Sequence, residues 1–229
     1  MYTFSVTWEY NLPEEKLMTN LAQNDSKPTY PMANSLAGFE KINRYWDKTR
    51  GIWGAKILPG EFYVTLHDEC ISTVLGSCIS ACVRDKKLGV GGMNHFMLPS
   101  TGEADQIGSA NRYGNFAMEN LINEILKNGG RRENLEVKIF GGGKILQNMT
   151  DVGNKNINFV RKYVETEGIH VVSEDVGDIY PRKIIYFPAT GKALMKRLKS
   201  LHNETVVSRE RTYQKDLEKT PVQSDIELF

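Results

Sequence analysis

Residues 75–99 read LGSCISACVRDKKLGVGGMNHFMLP, and this stretch decides how the rest of the chain is interpreted. Ile79–Asp85 and Val90–Leu98 are each rich in β-branched and apolar residues, which predicts two strands. The intervening KKLG supplies a turn, so the stretch predicts a β-hairpin. Such a hairpin returns His95 toward the start of the strand that follows Cys78.

Cys78 and His95 together supply the two groups that thiol-based acyl chemistry requires, a nucleophile and a base. A free cysteine has a pKa of about 8.5 and reacts as the thiolate, so it needs a neighbouring base. The Gly76-Ser77 pair before the cysteine suits a tight corner. There the backbone N–H groups of Ser77 and Cys78 can point at an oxyanion.

The other cysteines and histidines are weaker candidates. Cys70 follows Asp68 and Glu69, whose charges would raise its pKa, and Cys82 has apolar neighbours and no Gly-Ser corner. Three histidines lack the glycine-rich surroundings of His95: His67, His170 and His202. A zinc site built from the three cysteines and His95 is disfavoured because the close C-x2-C spacing is missing, so no metal is expected.

The remainder of the chain mixes strands and helices without strict βαβ alternation. Glu61–His67 and Leu135–Phe140 are predicted strands, and apolar residues at helical spacing predict a helix that ends at Asn128-Gly129-Gly130. A second helix is predicted over Asn154–Glu167. Further strands are predicted at Ile169–Ser173 and Lys183–Phe187, with a strand or short helix at Lys192–Leu198. This pattern favours an α/β (α+β) fold with mixed or antiparallel sheets and outer helices.

Composition restricts the partners and the compartment. The net charge is +1, so no global field attracts nucleic acid or an anionic membrane. No apolar run is long enough to span a bilayer, and the N-terminus does not resemble a secretory signal. The cysteine count is odd, 3 in all, which is unlike a secreted disulfide framework and predicts a cytoplasmic protein.

The Gly141-Gly142-Gly143-Lys144 run does not fit a phosphate-binding loop. It lacks the earlier glycine, and Ile145 stands where a magnesium-binding Ser or Thr would be required. A turn at the end of a strand is the better interpretation, and no cofactor is expected.

Four motifs together resemble those of the chemoreceptor glutamine deamidases, the CheD family. They are Leu75-Gly76-Ser77-Cys78, Gly91-Gly92-Met93-Asn94-His95-Phe96-Met97-Leu98-Pro99, Arg112-Tyr113-Gly114 and Lys138-Ile139-Phe140-Gly141-Gly142. Ile57–Val64 resembles the approach to the site in longer members. The similarity runs from about Trp46 to Lys199.

The resemblance implies a fold like that of bacterial toxin deamidases with a Cys-His site. It implies an enzyme that hydrolyses glutamine side chains of methyl-accepting chemotaxis receptors to glutamate, and some members also cleave receptor methyl esters. Cys78 matches the family nucleophile and His95 the family base. The family's third residue is a threonine at the position of Ser72, and Thr73 lies next to it, so either hydroxyl could orient His95.

The resemblance also sets the domain prediction and the alternatives. We expect an irregular extension over residues 1–45, a catalytic deamidase domain over 46–201 and a charged tail over 202–229. Some family members bind a partner phosphatase of the chemotaxis pathway, so a non-catalytic adaptor is the alternative function. Transamidation through the same thioester is a third possible function, in which an amine instead of water attacks the thioester.

Overall fold

The computed structural model describes residues 28–99, 107–145, 152–199 and 204–219. Apolar and polar residues roughly alternate over residues 2–8, which predicts one short strand in the N-terminal extension, and these residues lie outside the described ranges. None of the helices within them combines the length and apolar character needed to cross a membrane.

Two mixed five-stranded sheets form the body of the fold. The first has the strand order β1-β2-β4-β9-β10 and the second the order β3-β6-β5-β7-β8. The first sheet is formed by β1 (Asn43–Asp47), β2 (Ile52–Lys56), β4 (Cys70–Leu75), β9 (Arg182–Phe187) and β10 (Lys192–Arg197). The second is formed by β3 (Phe62–Thr65), β5 (Ile79–Asp85), β6 (Gly91–Asn94), β7 (Leu135–Gly141) and β8 (His170–Val176). The pairs β2–β4 and β7–β8 are parallel, and the other pairs are antiparallel.

Helices α1 (Ile107–Lys127) and α2 (Val152–Thr166) pack against the second sheet. The inward face of α1 carries the stripe recognised in the sequence, formed by Met118, Leu121, Ile122 and Ile125. Gly92 allows β6 to lie close to both α1 and β3. A Cβ at this position would lie 2.9 Å from Leu121 Cδ1 and 2.3 Å from a backbone oxygen of β3. The fold class predicted from the sequence is confirmed.

The chain passes between the two sheets at one point that matters for the site. β4 belongs to the first sheet and β5 to the second, and only residues 76–78 join them. A polypeptide that changes sheets over so short a connection must turn sharply. Gly76 permits close packing at this turn, since a Cβ there would lie 2.2 Å from Ile145 Cδ1 and 2.8 Å from the Glu210 carboxylate oxygens. Cys78 therefore lies at the junction of both sheets.

Several elements differ from the sequence expectations. β1, β2 and β4 were not predicted. β1 (NRYWD) and β2 (IWGAK) are five residues each and include polar, glycine or charged residues. β4 (CISTVL) has the apolar and β-branched composition of a strand, and its prediction was missed. The Lys192–Leu198 segment is a strand, since its residues pair antiparallel with β9. Helix α3 (Glu204–Lys219) lies within the segment interpreted as a charged tail.

Candidate active site

The hairpin of β5 and β6 brings His95 beside Cys78. Ile79 and Phe96, the neighbours of the two residues, form an isolated antiparallel bridge with backbone hydrogen bonds of 2.8 and 2.9 Å. Asn94 fills the gap in the ladder, where its Oδ1 accepts from the Ala81 N–H at 2.8 Å. As a result, Cys78 Sγ and a ring nitrogen of His95 lie within 4.8 Å of each other.

The tautomer of His95 follows from its contact with Thr73. The Thr73 hydroxyl has a single proton, and it lies 2.9 Å from the Ile57 carbonyl oxygen, which can only accept. It must therefore accept from His95 Nδ1–H, at 2.8 Å. Nε2 is left as the unprotonated nitrogen, and it is buried with no hydrogen-bond partner among the described residues.

Ser72 points elsewhere. Its hydroxyl lies 3.1 Å from the Tyr45 hydroxyl and 3.4 Å from the Ala55 carbonyl oxygen. Adjacent residues of a strand face opposite sides of a sheet, so only one of Ser72 and Thr73 can reach His95. The structure brings Thr73 to the imidazole and leaves Ser72 on the other face of β4.

Hydrogen bonds to its backbone carbonyl groups fix the conformation of the Gly-Ser-Cys corner (residues 76–78). Each of its three carbonyl oxygens accepts a hydrogen bond, so its N–H groups are turned toward the opposite side. The donors are, in order, Gly143 N at 2.7 Å, Asn156 Nδ2 at 2.8 Å and Gly142 N at 2.8 Å. The glycine run interpreted as a strand-end turn thus braces the corner.

Gly141 is required at the end of β7. Its φ is 114°, and a Cβ at this position would lie 2.1 Å from the Cys78 carbonyl oxygen. We expect Gly141→Ala to destabilise the fold by more than about 1 kcal/mol, because alanine is strained at positive φ and the corner must shift. Chemical unfolding measures the loss, and an unchanged midpoint would contradict it. Gly168→Ala, at φ 65° with open space around it, is the control for backbone strain alone.

The carboxylate of Glu210 lies against the N–H groups of the corner. Glu210 Oε1 accepts from Gly76 N at 2.8 Å and Cys78 N at 3.2 Å. Its Oε2 accepts from Ser77 N at 2.8 Å and from the Ser77 hydroxyl at 2.7 Å. Four donors thus converge on one anionic group, as they do at anion-binding backbone nests. The Ser77 and Cys78 N–H groups that the sequence analysis expected at an oxyanion are two of them.

Burial sets the protonation of the pair in this arrangement. Desolvation lowers the pKa of His95 from 6.5 to about 3, so the imidazole is neutral at pH 7. Desolvation, and then the Glu210 charge, raise the pKa of Cys78 well above its usual value. With Glu210 in place, the site holds a thiol beside a neutral imidazole rather than an ion pair.

The remaining cysteines lie away from this cluster. Cys70 packs against Gly54 and Tyr45 in the first sheet, and burial raises its pKa to about 11. Cys82 is fully buried, and burial raises its thiol pKa as well. Neither has a histidine partner among the contacts of the described residues.

In the described part of the chain, one group of side chains brings potential metal-ligand atoms close together: Cys78, His95 and Glu210. These atoms lie within 4.8 Å of one another. The donor chemistry does not suit a cation, however. Each Glu210 oxygen already accepts two hydrogen bonds from N–H or O–H groups, which occupies both of its lone pairs. The corner therefore binds the Glu210 carboxylate itself.

Sequence reasoning missed Glu210 and Asn156. Asn156 is completely buried, and it links the Ser77 carbonyl to the Leu98 N–H. The available signal for Glu210 was an acidic residue in the middle of a stripe at helical spacing, with Val206, Tyr213 and Leu217. A carboxylate at the centre of an inward face is costly unless donors meet it.

Two comparisons with known proteins bear on the family of this chain. The CheD family, described as CheD chemotactic sensory transduction, matches residues 97–197. A protein of Hahella chejuensis is 55% identical over 206 residues, covering 89% of this chain and 98% of its own length. The chain belongs to the CheD family.

Other CheD relatives give the same result. Proteins of Halorhodospira halophila and Methylobacillus flagellatus are 54% and 55% identical, covering 85% and 86% of this chain. They span 93% and 100% of their own lengths. All three relatives carry the name probable chemoreceptor glutamine deamidase CheD. The family predicted from the sequence motifs is confirmed.

Proposed function

We propose that this chain hydrolyses the side-chain amide of glutamine residues in chemotaxis receptors, leaving glutamate and releasing ammonia. One observation carries the proposal: Cys78 lies beside an unprotonated imidazole nitrogen at a corner whose N–H groups already bind a carboxylate. The relatives' name states the same activity for those proteins.

The first half-reaction forms a thioester. His95 Nε2 takes the proton from the Cys78 thiol, and the sulfur attacks the carboxamide carbon. The carbonyl oxygen becomes an oxyanion that the corner N–H groups stabilise, an effect worth about 3 kcal/mol per donor. The C–N bond then breaks as His95 returns the proton to nitrogen, and ammonia leaves.

The second half-reaction releases glutamate. A water molecule gives a proton to His95 and adds to the thioester carbon, and the corner again holds the oxyanion. The C–S bond breaks, and the proton returns to the sulfur. The carboxylic acid so formed loses its remaining proton to solvent, and the resulting carboxylate is the group that Glu210 presents to the same donors in this structure.

Thr73 acts as a positioning residue for His95 in this scheme. We expect Thr73→Val to lower kcat by about tenfold to a hundredfold, because Nδ1–H would lose its buried acceptor. Ser72→Ala is the matched control and should change kcat less than about twofold, since Ser72 makes no contact with the imidazole.

The readout that separates positioning from stability is rescue. Thr73→Ser restores the hydroxyl and should recover most of kcat, whereas a purely packing role for the methyl group would leave Thr73→Ser as slow as Thr73→Val. Equal losses in Thr73→Val and Ser72→Ala would contradict the assignment.

The function is tested by incubating the chain with receptor and determining receptor mass. A gain of about one mass unit at a glutamine, with ammonia released, marks deamidation. No change in mass with stable receptor binding would favour the adaptor. Incorporation of a labelled amine in place of the mass gain would favour transamidation.

The setting of the reaction belongs to the same proposal. We assign it to the cytoplasm, where the three free cysteines would stay reduced. Binding of a chemotaxis phosphatase stays a prediction from the family resemblance. So do cleavage of methyl esters and the domain division at residues 45 and 201.

A further inference from the structure

Helix α3 lies against the candidate site through three contacts. Glu210 is bound by the corner, as described above. Tyr213 packs over the turn before β3, with its Cε2 atom 3.1 Å from the position that a Cβ on Gly60 would take. The Tyr213 hydroxyl also hydrogen-bonds to that of Tyr113 on α1. The helix therefore covers Cys78 from the side opposite the bracing glycines.

The inward face of α3 is unusual for a helix that serves packing alone. Within residues 205–217 of α3, whose burial is described, the two buried residues are polar, Glu210 at 2% exposure and Gln214 at 6%. Aliphatic side chains would stabilise a purely structural contact better, since burying a carboxylate costs energy unless donors meet it. Here four hydrogen-bond donors of the corner bind the Glu210 carboxylate, so this side chain suits the candidate site rather than a hydrophobic core.

Glu210 has the side chain of the proposed reaction's product. A glutamine hydrolysed at Cys78 ends as a glutamate with its carboxylate beside the sulfur and the corner N–H groups. Glu210 also lies within 4.8 Å of both Cys78 Sγ and a His95 nitrogen. Burial, and then the charge of Glu210, raise the pKa of Cys78 and so oppose formation of the thiolate.

We propose that α3 is a built-in product mimic, which places Glu210 where the newly formed glutamate lies and competes with receptor for the site. The inference rests on the proposed function and adds to it a reversible block from the same chain. Receptor must displace α3 before its glutamine can reach Cys78.

Alkylation of Cys78 tests the block without relying on activity. We expect Glu210→Arg in the full chain to raise the rate of Cys78 alkylation by iodoacetamide at least about tenfold. The cation is repelled by the corner N–H groups, and the thiol is no longer held neutral by a carboxylate. Asp216→Arg is the matched control, with the same charge change on the exposed face of α3, and should stay within about twofold of wild type.

Receptor kinetics give the second readout. Glu210→Arg should lower the apparent KM for receptor severalfold, as expected when an internal competitor is removed. Glu210→Ala, which removes the carboxylate without adding a charge, should act in the same direction. Thermal unfolding of each variant checks that it is folded.

Converting the mimic into a substrate tests its position. In Glu210→Gln, the amide should lie at the sulfur and be hydrolysed, so residue 210 gains about one mass unit and returns to glutamate. The double variant with Cys78→Ala should keep its glutamine. Peptide mass spectrometry reads both.

The outcomes separate the two proposals. Alkylation of folded Glu210→Arg at the wild-type rate would overturn the block by α3. A glutamine that persists at residue 210 in a variant that deamidates receptor would overturn the product-like position. Faster alkylation with no receptor deamidation in any variant would overturn the deamidase function and leave α3 as the cover of Cys78.

Discussion

Cys78→Ala will abolish ammonia release from receptor, with a loss in kcat of at least about ten thousand-fold. Without the sulfur no thioester forms, and the corner N–H groups alone would have to activate water. The measurement is receptor mass after prolonged incubation together with an ammonia assay. The fold should survive, since the substitution removes one atom at a position braced by its backbone carbonyl.

Cys82→Ala is the matched control for this result. Cys82 lies on β5, which begins directly after Cys78, and is as deeply buried, but it has no histidine partner among the described contacts. We expect it to keep most of the activity at a modest cost in stability. Equal losses in the two variants would indicate that the cysteines serve packing rather than nucleophilic attack.

His95→Asn should lower kcat by about a hundredfold to ten thousand-fold, the range that a general acid–base supplies. Asparagine can still donate an N–H to the Thr73 hydroxyl but offers no nitrogen base. The variant therefore separates the proton transfer from the hydrogen bond to Thr73. Single-turnover kinetics should show slow thioester formation, and a wild-type rate would contradict the role of His95 as base.

The same variant predicts a change in acid stability. Burial lowers the pKa of His95 to about 3, whereas the unfolded chain takes up this proton near pH 6.5. The unfolded state thus binds more protons between these values, so wild-type stability falls as the pH drops through that window. In His95→Asn the fall should be less steep. Unfolding at about pH 7 and about pH 4.5 tests this, and parallel slopes would contradict it.

The β5–β6 hairpin was predicted from the sequence more accurately than the strands β1, β2 and β4 and the helix α3. Residues 79–98 form two runs rich in β-branched and apolar residues that are joined by a turn, so the hairpin and the approach of His95 to Cys78 followed from local sequence. The choice between Ser72 and Thr73 depended on which face of β4 meets the second sheet. Since β4 itself was not predicted, that choice could not be made from the sequence.

Glu210 shows where reasoning from the sequence stops. Its contact with the corner joins residues 132 to 134 positions apart, and no local pattern encodes such a pairing. Helical spacing identified neither the partner of α3 nor the reason for an acid on its inward face. Only the arrangement of the corner N–H groups in space explains it.

A regular helix can place a side chain at the corner beside Cys78, because α3 remains helical from Glu204 to Lys219 while Glu210 binds the corner N–H groups. A visiting chain would then need no unwinding to present its amide. A helical segment of receptor could therefore be modified at its surface without local unfolding.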